Sequence, residues 1–257
     1  MKTLKNKSNG FIIIIIFFFI FAVIPANTSR VKKDLYKEKT LILCFHDIDG
    51  EGKYSITKQE FINILNILKP KYDVYSLKEW YLTKKRKSKK KPVIITFDDG
   101  FKSIIEIITP LLKQYNFGAT YFIYTDRYED SSSFYRQLAE LPDELEIGSH
   151  TLSHDNVIAY WQKDKPKFYK EIYFSKKKLE YYTKKEIMSF AWPYGKYTID
   201  MYEYVKNAGY KIQVSTDYGL ADNSLKNKIL RRITVQQPQP VNMVKNFLQI
   251  YERENGK

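Results

Sequence analysis

The chain is predicted to fold as a parallel α/β domain, most simply a deformed barrel of alternating strands and helices. Two observations lead there. Eight apolar runs of strand length alternate with segments whose apolar residues recur at helical spacing. No internal repeat and no linker divides the sequence. An open doubly wound sheet is the main alternative.

The elements follow in order. Thr40–Phe45 is a short apolar strand. Thr57 with Glu60 has the spacing of a capping box, and Phe61, Ile64, Leu65 and Leu68 carry the helical period until Pro70. Asp73–Tyr75 is a strand, and Ser76 with Glu79 opens a second helix that runs into Lys84–Lys91. Val93–Phe97 reads as a strand buried on both faces. Ile104–Tyr115 is helical, with Thr109-Pro110 restarting it. Strands are expected at Ala119–Tyr124, Leu145–Ser149, Ile187–Ala191, Tyr210–Ser215 and Ile229–Val235. Helices are expected at Pro166–Tyr182, Ile199–Asn207 and Val241–Tyr251.

Composition narrows the classes. With 44% hydrophobic residues and 16% aromatics, the sequence is too apolar for a disordered chain. The single cysteine, Cys44, excludes an intramolecular disulfide and a cysteine-based zinc ribbon, and its place inside an apolar strand makes it a core residue. A net charge of +14 points to an anionic partner of some kind. Lys2, Lys5 and Lys7 precede an unbroken apolar run, Phe11–Ile24, with Ala26 after it. That is the form of an export signal, and the 14-residue run falls short of the ~20 needed to span a bilayer. Ile24 stands where a cleavage site prefers a small residue, so residues 1–29 are expected to be a signal peptide or a retained N-terminal anchor. Residues 30–257 are then the mature domain, secreted or held at the cell surface. In such a chain the basic run Lys84–Lys91 is a solvated helix end and loop, or a contact with an anionic cell surface or membrane. A nucleic-acid partner is not expected.

The chemistry gathers at strand ends. His46-Asp47 follows Phe45, Asp98-Asp99-Gly100 follows Phe97, His150 follows Ser149, and Trp192-Pro193-Tyr194-Gly195 follows Ala191. In a parallel barrel these ends share one face, where active sites sit. His150 and His154 are four apart, so on a helical turn they would face one cation together, with a carboxylate from Asp98 or Asp99 as third ligand. Two histidines and a carboxylate leave room for water and substrate, the pattern of a catalytic metal site. Adjacent aspartates diverge, so one binds the ion and the other takes a proton from water as general base. The expected reaction is metal-assisted hydrolysis of an amide or ester. The sequence has no G-x-S-x-G, no G-x-x-x-x-G-K-[ST], no G-x-G-x-x-G and no H-E-x-x-H.

Thr96-Phe97-Asp98-Asp99-Gly100, His150-Thr151-Leu152-Ser153-His154 and Pro193-Tyr194-Gly195, in this order, resemble the polysaccharide deacetylases of the NodB homology type, carbohydrate esterase family 4. The resemblance spans about Leu41 to Val235. It implies a deformed (β/α) barrel of seven or eight strands, a divalent metal, most commonly zinc, and removal of acetyl groups from N-acetylglucosamine polymers. It implies Asp98 as general base, Asp99, His150 and His154 as metal ligands, and the Tyr194 backbone N–H as a donor to the oxyanion. Two departures stand out. Where the family carries an arginine that braces the base, this chain has Ala191, and no histidine follows His154 to serve as general acid. With the early Cys44-Phe45-His46-Asp47 segment, these departures look like the branch acting on poly-β-1,6-N-acetylglucosamine, a biofilm exopolysaccharide. His46 is then the remaining histidine for the acid, oriented by Asp47, or a hydrogen-bonded residue of the barrel rim. Trp192, Pro193 and Tyr194 are candidates for sugar contact. A peptidoglycan or chitin-oligomer deacetylase is the alternative enzyme, and a non-catalytic glycan-binding relative the alternative outside catalysis.

Overall fold

The computed structural model describes residues 39–83, 88–128, 133–222 and 229–256. The N-terminal apolar run and Lys84–Lys87 lie outside the described residues.

Strand β1 (Lys39–Phe45) is flanked by β5 (Lys91–Phe97), and the two pair in parallel from Leu41 with Val93 to Phe45 with Phe97. Both are continuous apolar runs because helices or core cover both of their faces. From β5 the curled sheet continues through β6 (Ala119–Ile123), β7 (Leu145–Ser149), β8 (Ser189–Ala191) and β9 (Ile212–Val214), all parallel. β4 (Tyr72–Tyr75) pairs with the first half of β5. On the far side of β1 the short β10 (Ala221–Asp222) pairs antiparallel, and β11 (Ile233–Thr234) pairs in parallel. A parallel bridge from Leu230 to Val214 ties the segment before β11 to β9, so this stretch curls the sheet toward closure. Two two-residue strands, β2 (Asp47–Ile48) and β3 (Ser55–Ile56), pair beside the β1 exit. The expected parallel fold is present as a curled, partly closed barrel.

The helices stand where the sequence chemistry starts them. α1 (Lys58–Leu68) has its full capping box: Thr57 Oγ1 accepts from the Glu60 N–H, and Glu60 accepts from the Thr57 N–H. Phe61, Ile64, Leu65 and Leu68 are its buried face. α2 (Leu77–Leu82) is capped by Ser76 and ends before the basic run that it was expected to enter. The described part of that run lies against the body of the protein, with Lys90 donating to the Lys69 carbonyl and Lys91 paired to Glu252. The segment after Asp98-Asp99-Gly100 makes a π-helical turn, Ile104–Ile108, before α3 (Thr109–Tyr115) restarts at Pro110. α4 (Ser133–Ala139) and α5 (Val157–Lys163) were not expected. Asp164 then breaks and recaps the chain to begin α6 (Lys165–Thr183), which extends the predicted helix by one residue at each end. α7 (Ile199–Asn207) has the predicted bounds, and α8 (Pro240–Glu254) runs a little past its own.

The core fills the space between sheet and helices. Phe45 stacks on Phe97 at 5.4 Å between centroids, and Phe61 meets both edge-on. This packing fixes the exits of β1 and β5, from which His46, Asp98 and Asp99 project.

Candidate active site

The exits of β1, β5, β7 and β8 bring the predicted residues to one end of the sheet. Asp98 is buried and leaves β5 with its N–H bonded to the Phe45 carbonyl at 2.9 Å. Asp99 then takes φ of 71°, and Gly100 follows at 69° with its missing Cβ facing Ile123. The left-handed turn swings the two neighbouring carboxylates apart, as the expected division of labour needs. Left-handed non-glycine residues recur at Thr151, His154 and Tyr194, all in the loops of this site.

The two histidines meet by a different route from the one predicted. Residues 150–154 form an irregular loop rather than a helical turn. Thr151 and His154 both have positive φ, which turns the second imidazole back toward the first, with ring centroids 4.7 Å apart. The loop is held from behind by Glu171 of α6, whose carboxylate accepts the N–H groups of Leu152 and Ser153 at 3.0 Å and the Ser153 hydroxyl at 2.9 Å. Thr151 Oγ1 accepts the His154 N–H at 3.1 Å.

Asp99 Oδ1 lies 3.5 Å from His150 Nε2 and 3.3 Å from His154 Nε2. It is buried and has no hydrogen-bond partner. An orphaned, buried carboxylate oxygen is costly alone and favourable beside a cation. His150 Nδ1 is 2.8 Å from the Ala191 carbonyl, which fixes the proton on Nδ1 and turns the Nε2 lone pair toward Asp99. Burial pushes His150 down to about 3 and lowers His154, so both imidazoles are neutral near pH 7. Burial, aided by the neighbouring Asp98, pushes Asp99 up to about 6 against the pull of His46 and Arg127. One carboxylate and two neutral imidazoles with converging lone pairs fit a divalent cation of the zinc type.

Asp98 sits in the opposite electrostatic setting. Burial would raise its pKa, but Arg232 holds it well below the usual carboxylate range. Arg232 is wholly buried and grips both oxygens of Asp98 at 2.7 Å. Its Nε donates to the Ser215 carbonyl at 2.9 Å, Nη1 also donates to Thr96 Oγ1 at 3.0 Å, and the guanidinium lies 5.5 Å from the Phe122 ring. So the brace expected to be missing at Ala191 arrives from the other end of the sequence. The signal for it was an arginine inside an otherwise strand-like segment, Ile229–Val235.

The remaining candidates divide. A His46 ring nitrogen lies within 4.8 Å of ligand atoms of Asp98 and Cys44, and His46 Nδ1 is buried and unpartnered. The ring stacks on Tyr54 at 4.8 Å. Asp47 does not orient it: its carboxylate accepts from the Ser103 hydroxyl at 2.6 Å and from the Ile48 N–H. Cys44 is core, as read, and its thiol lies 3.5 Å from Asp98 Oδ2. Trp192 is corrected: it is 0% exposed and packs edge-on against Phe190, so it offers no face to a sugar. Pro193 is buried as well. Tyr194 is 59% exposed, its ring 4.7 Å from His154. The turn is locked by Gly195 at φ of 68°, where any Cβ would strike Thr216 Oγ1. Tyr124 is an unpredicted neighbour, its ring 5.4 Å from His154 and its hydroxyl bonded by Arg127 at 2.7 Å.

Comparison with known proteins bears on the family and the fold. The sequence model of a family described as polysaccharide deacetylase matches residues 85–213. The chain is 26% identical over 268 residues to the poly-beta-1,6-N-acetyl-D-glucosamine N-deacetylase of Staphylococcus aureus (strain MRSA252), covering 98% of this chain and 88% of that protein. Among solved structures, the Streptococcus pyogenes deacetylase PplD in complex with acetate matches with a TM-score of 0.71 at 24% identity, over 82% of this chain and 97% of that one. IcaB from Ammonifex degensii matches with a TM-score of 0.71 at 20% identity, over the same shares of the two chains. The structural likenesses establish the fold.

Proposed function

The chain belongs to the polysaccharide deacetylase family, and from that premise we propose that it is an exported, zinc-dependent enzyme that removes N-acetyl groups from poly-β-1,6-N-acetylglucosamine. The observation that carries the reading is the pairing of an arginine-braced Asp98 with the Asp99–His150–His154 cluster, beside a histidine from the β1 exit. The near full-length similarity to a protein named for the β-1,6-linked substrate favours that linkage over peptidoglycan or chitin oligomers. Export and attachment at the cell surface rest on the basic start and the apolar run Phe11–Ile24. A biofilm role follows from the substrate alone.

Asp99, His150 and His154 would hold the cation, which when bound supplies Lewis acidity to the acetamide carbonyl. Asp98 stays ionised in its arginine clamp and accepts a proton from the attacking water. The Tyr194 backbone N–H donates to the oxygen that gains charge. His46 donates a proton to the glucosamine nitrogen as the C–N bond breaks, and the proton that Asp98 took from water passes back to His46 through solvent, so water and amide become acetate and an ammonium group. The brace at Arg232 removes the main argument for a non-catalytic glycan binder, because a binding surface has no use for a buried base kept ionised.

Acetate release by the full chain with zinc is the test, comparing β-1,6-linked N-acetylglucosamine oligomers, chitin oligomers and peptidoglycan. The β-1,6 oligomers are expected to be turned over fastest. Faster release from either of the others would refute the linkage assignment, and no release from any would refute the substrate class.

A further inference from the structure

A pocket of about 560 Å³ opens between α8 and the segments that follow β9 and β11. The catalytic scheme above uses none of its α8 residues. Two of its wall residues belong also to the catalytic end. Arg232 grips Asp98, and Thr216 packs against the Gly195 turn beside Tyr194. The pocket's chemistry differs from that of the catalytic centre. Its polar wall is made of neutral amides and hydroxyls, among them Gln236, Asn242 and Asn246. No carboxylate is among the described residues that line it. Among the described lining residues the one charged side chain, Arg232, is already neutralised by Asp98. At its rim Tyr218, 73% exposed, meets Phe247 edge-on at 5.2 Å.

We propose that this pocket is a subsite for a neighbouring sugar unit of the polymer, and that it selects a unit still carrying its N-acetyl group. Side-chain amides both donate and accept, and so match the hydroxyls and acetamide of a neutral hexosamine. The exposed tyrosine offers an aromatic face to the apolar face of a pyranose ring, and the volume falls within the range of small-ligand pockets. A deacetylated unit carries an ammonium, which finds no carboxylate among the described residues of this wall and only amide and hydroxyl oxygens to accept from it. Occupation by an acetylated neighbour would space the product amines along the chain.

The proposal rests on the deacetylase reading, and its test separates the two. Acetate release by the full chain with zinc is measured on the β-1,6-linked N-acetylglucosamine dimer, the pentamer, and a pentamer with one unit converted to glucosamine. Pentamer binding is measured in parallel by ligand-observed NMR. The double variant Asn242→Ala/Asn246→Ala should raise KM for the acetylated pentamer about three- to tenfold, the worth of one or two hydrogen bonds. Its kcat and its turnover of the dimer should hold. Asn242→Asp should shift kcat/KM toward the glucosamine-containing pentamer. An unchanged KM and binding for the pentamer, or equal losses on dimer and pentamer, overturns the subsite. Pentamer binding that weakens in the double variant while wild type releases no acetate sustains the pocket and refutes the deacetylase reading.

Discussion

Asp98 and Asp99 are neighbours in the chain and opposites in the structure. Asp98 is buried in a closed setting, with both oxygens held by Arg232 and its charge fully answered. Asp99 faces two neutral imidazoles, one oxygen buried and unanswered, and its pKa is pushed up to about 6. The left-handed turn between them separates the two settings. The contrast teaches that acidity here is set by what each oxygen meets and not by residue type: one carboxylate is kept ionised, and the other is left wanting a cation.

The comparison can be broken most severely at Asp98. Asp98→Asn should lower kcat by about 10⁴-fold, the upper range for a general base, while zinc stays bound by elemental analysis. Loss of zinc in that variant would place Asp98 among the ligands. Asp99→Ala or His154→Ala should instead lose the metal, and activity with it. A stoichiometric zinc content in both would dissolve the distinction drawn here.

Arg232→Met leaves a buried carboxylate uncompensated and should cost about 3–5 kcal/mol of stability. The sign of its pH dependence follows from the direction of the Asp98 shift. A carboxylate held below its unfolded pKa of ~3.9 contributes stability above that pH and loses it as pH falls toward the folded value. The gap between wild type and Arg232→Met in chemical denaturation should therefore narrow as pH drops below ~4. A gap that stays constant would mean that Arg232 acts by packing alone. His46→Ala should lower kcat about 100-fold with a melting temperature close to wild type. If both hold at wild-type values, His46 is a rim residue and no more.

Much of this was legible because it is local. Thr57 with Glu60, and the apolar runs ending at Phe45, Phe97 and Ser149, each encode their element within a few residues, and the strand ends carry the histidines and aspartates. What was not legible is long-range or conformational. Arg232 meets Asp98 across 134 residues, and nothing in either segment names the other. The His150–His154 spacing pointed to the right pair for the wrong geometry, since left-handed Thr151 and His154 leave no compositional trace. Trp192 looked like a sugar platform because an aromatic after a strand reads the same whether it turns out or in. α5 was missed because Val157–Lys163, with two aromatics and an early break at Asp164, has the look of a loop.

The late position of Arg232 has a consequence for what the charge on Asp98 depends on. In chain order Asp99, His150 and His154 come long before the guanidinium that keeps Asp98 charged. The Asp99, His150 and His154 cluster is therefore encoded well ahead of the brace, and Asp98 gains its guanidinium only when the segment carrying β11 docks beside β1. Closing so long a loop is the entropically costly step, and it makes hydrolytic power a property of the completed chain alone.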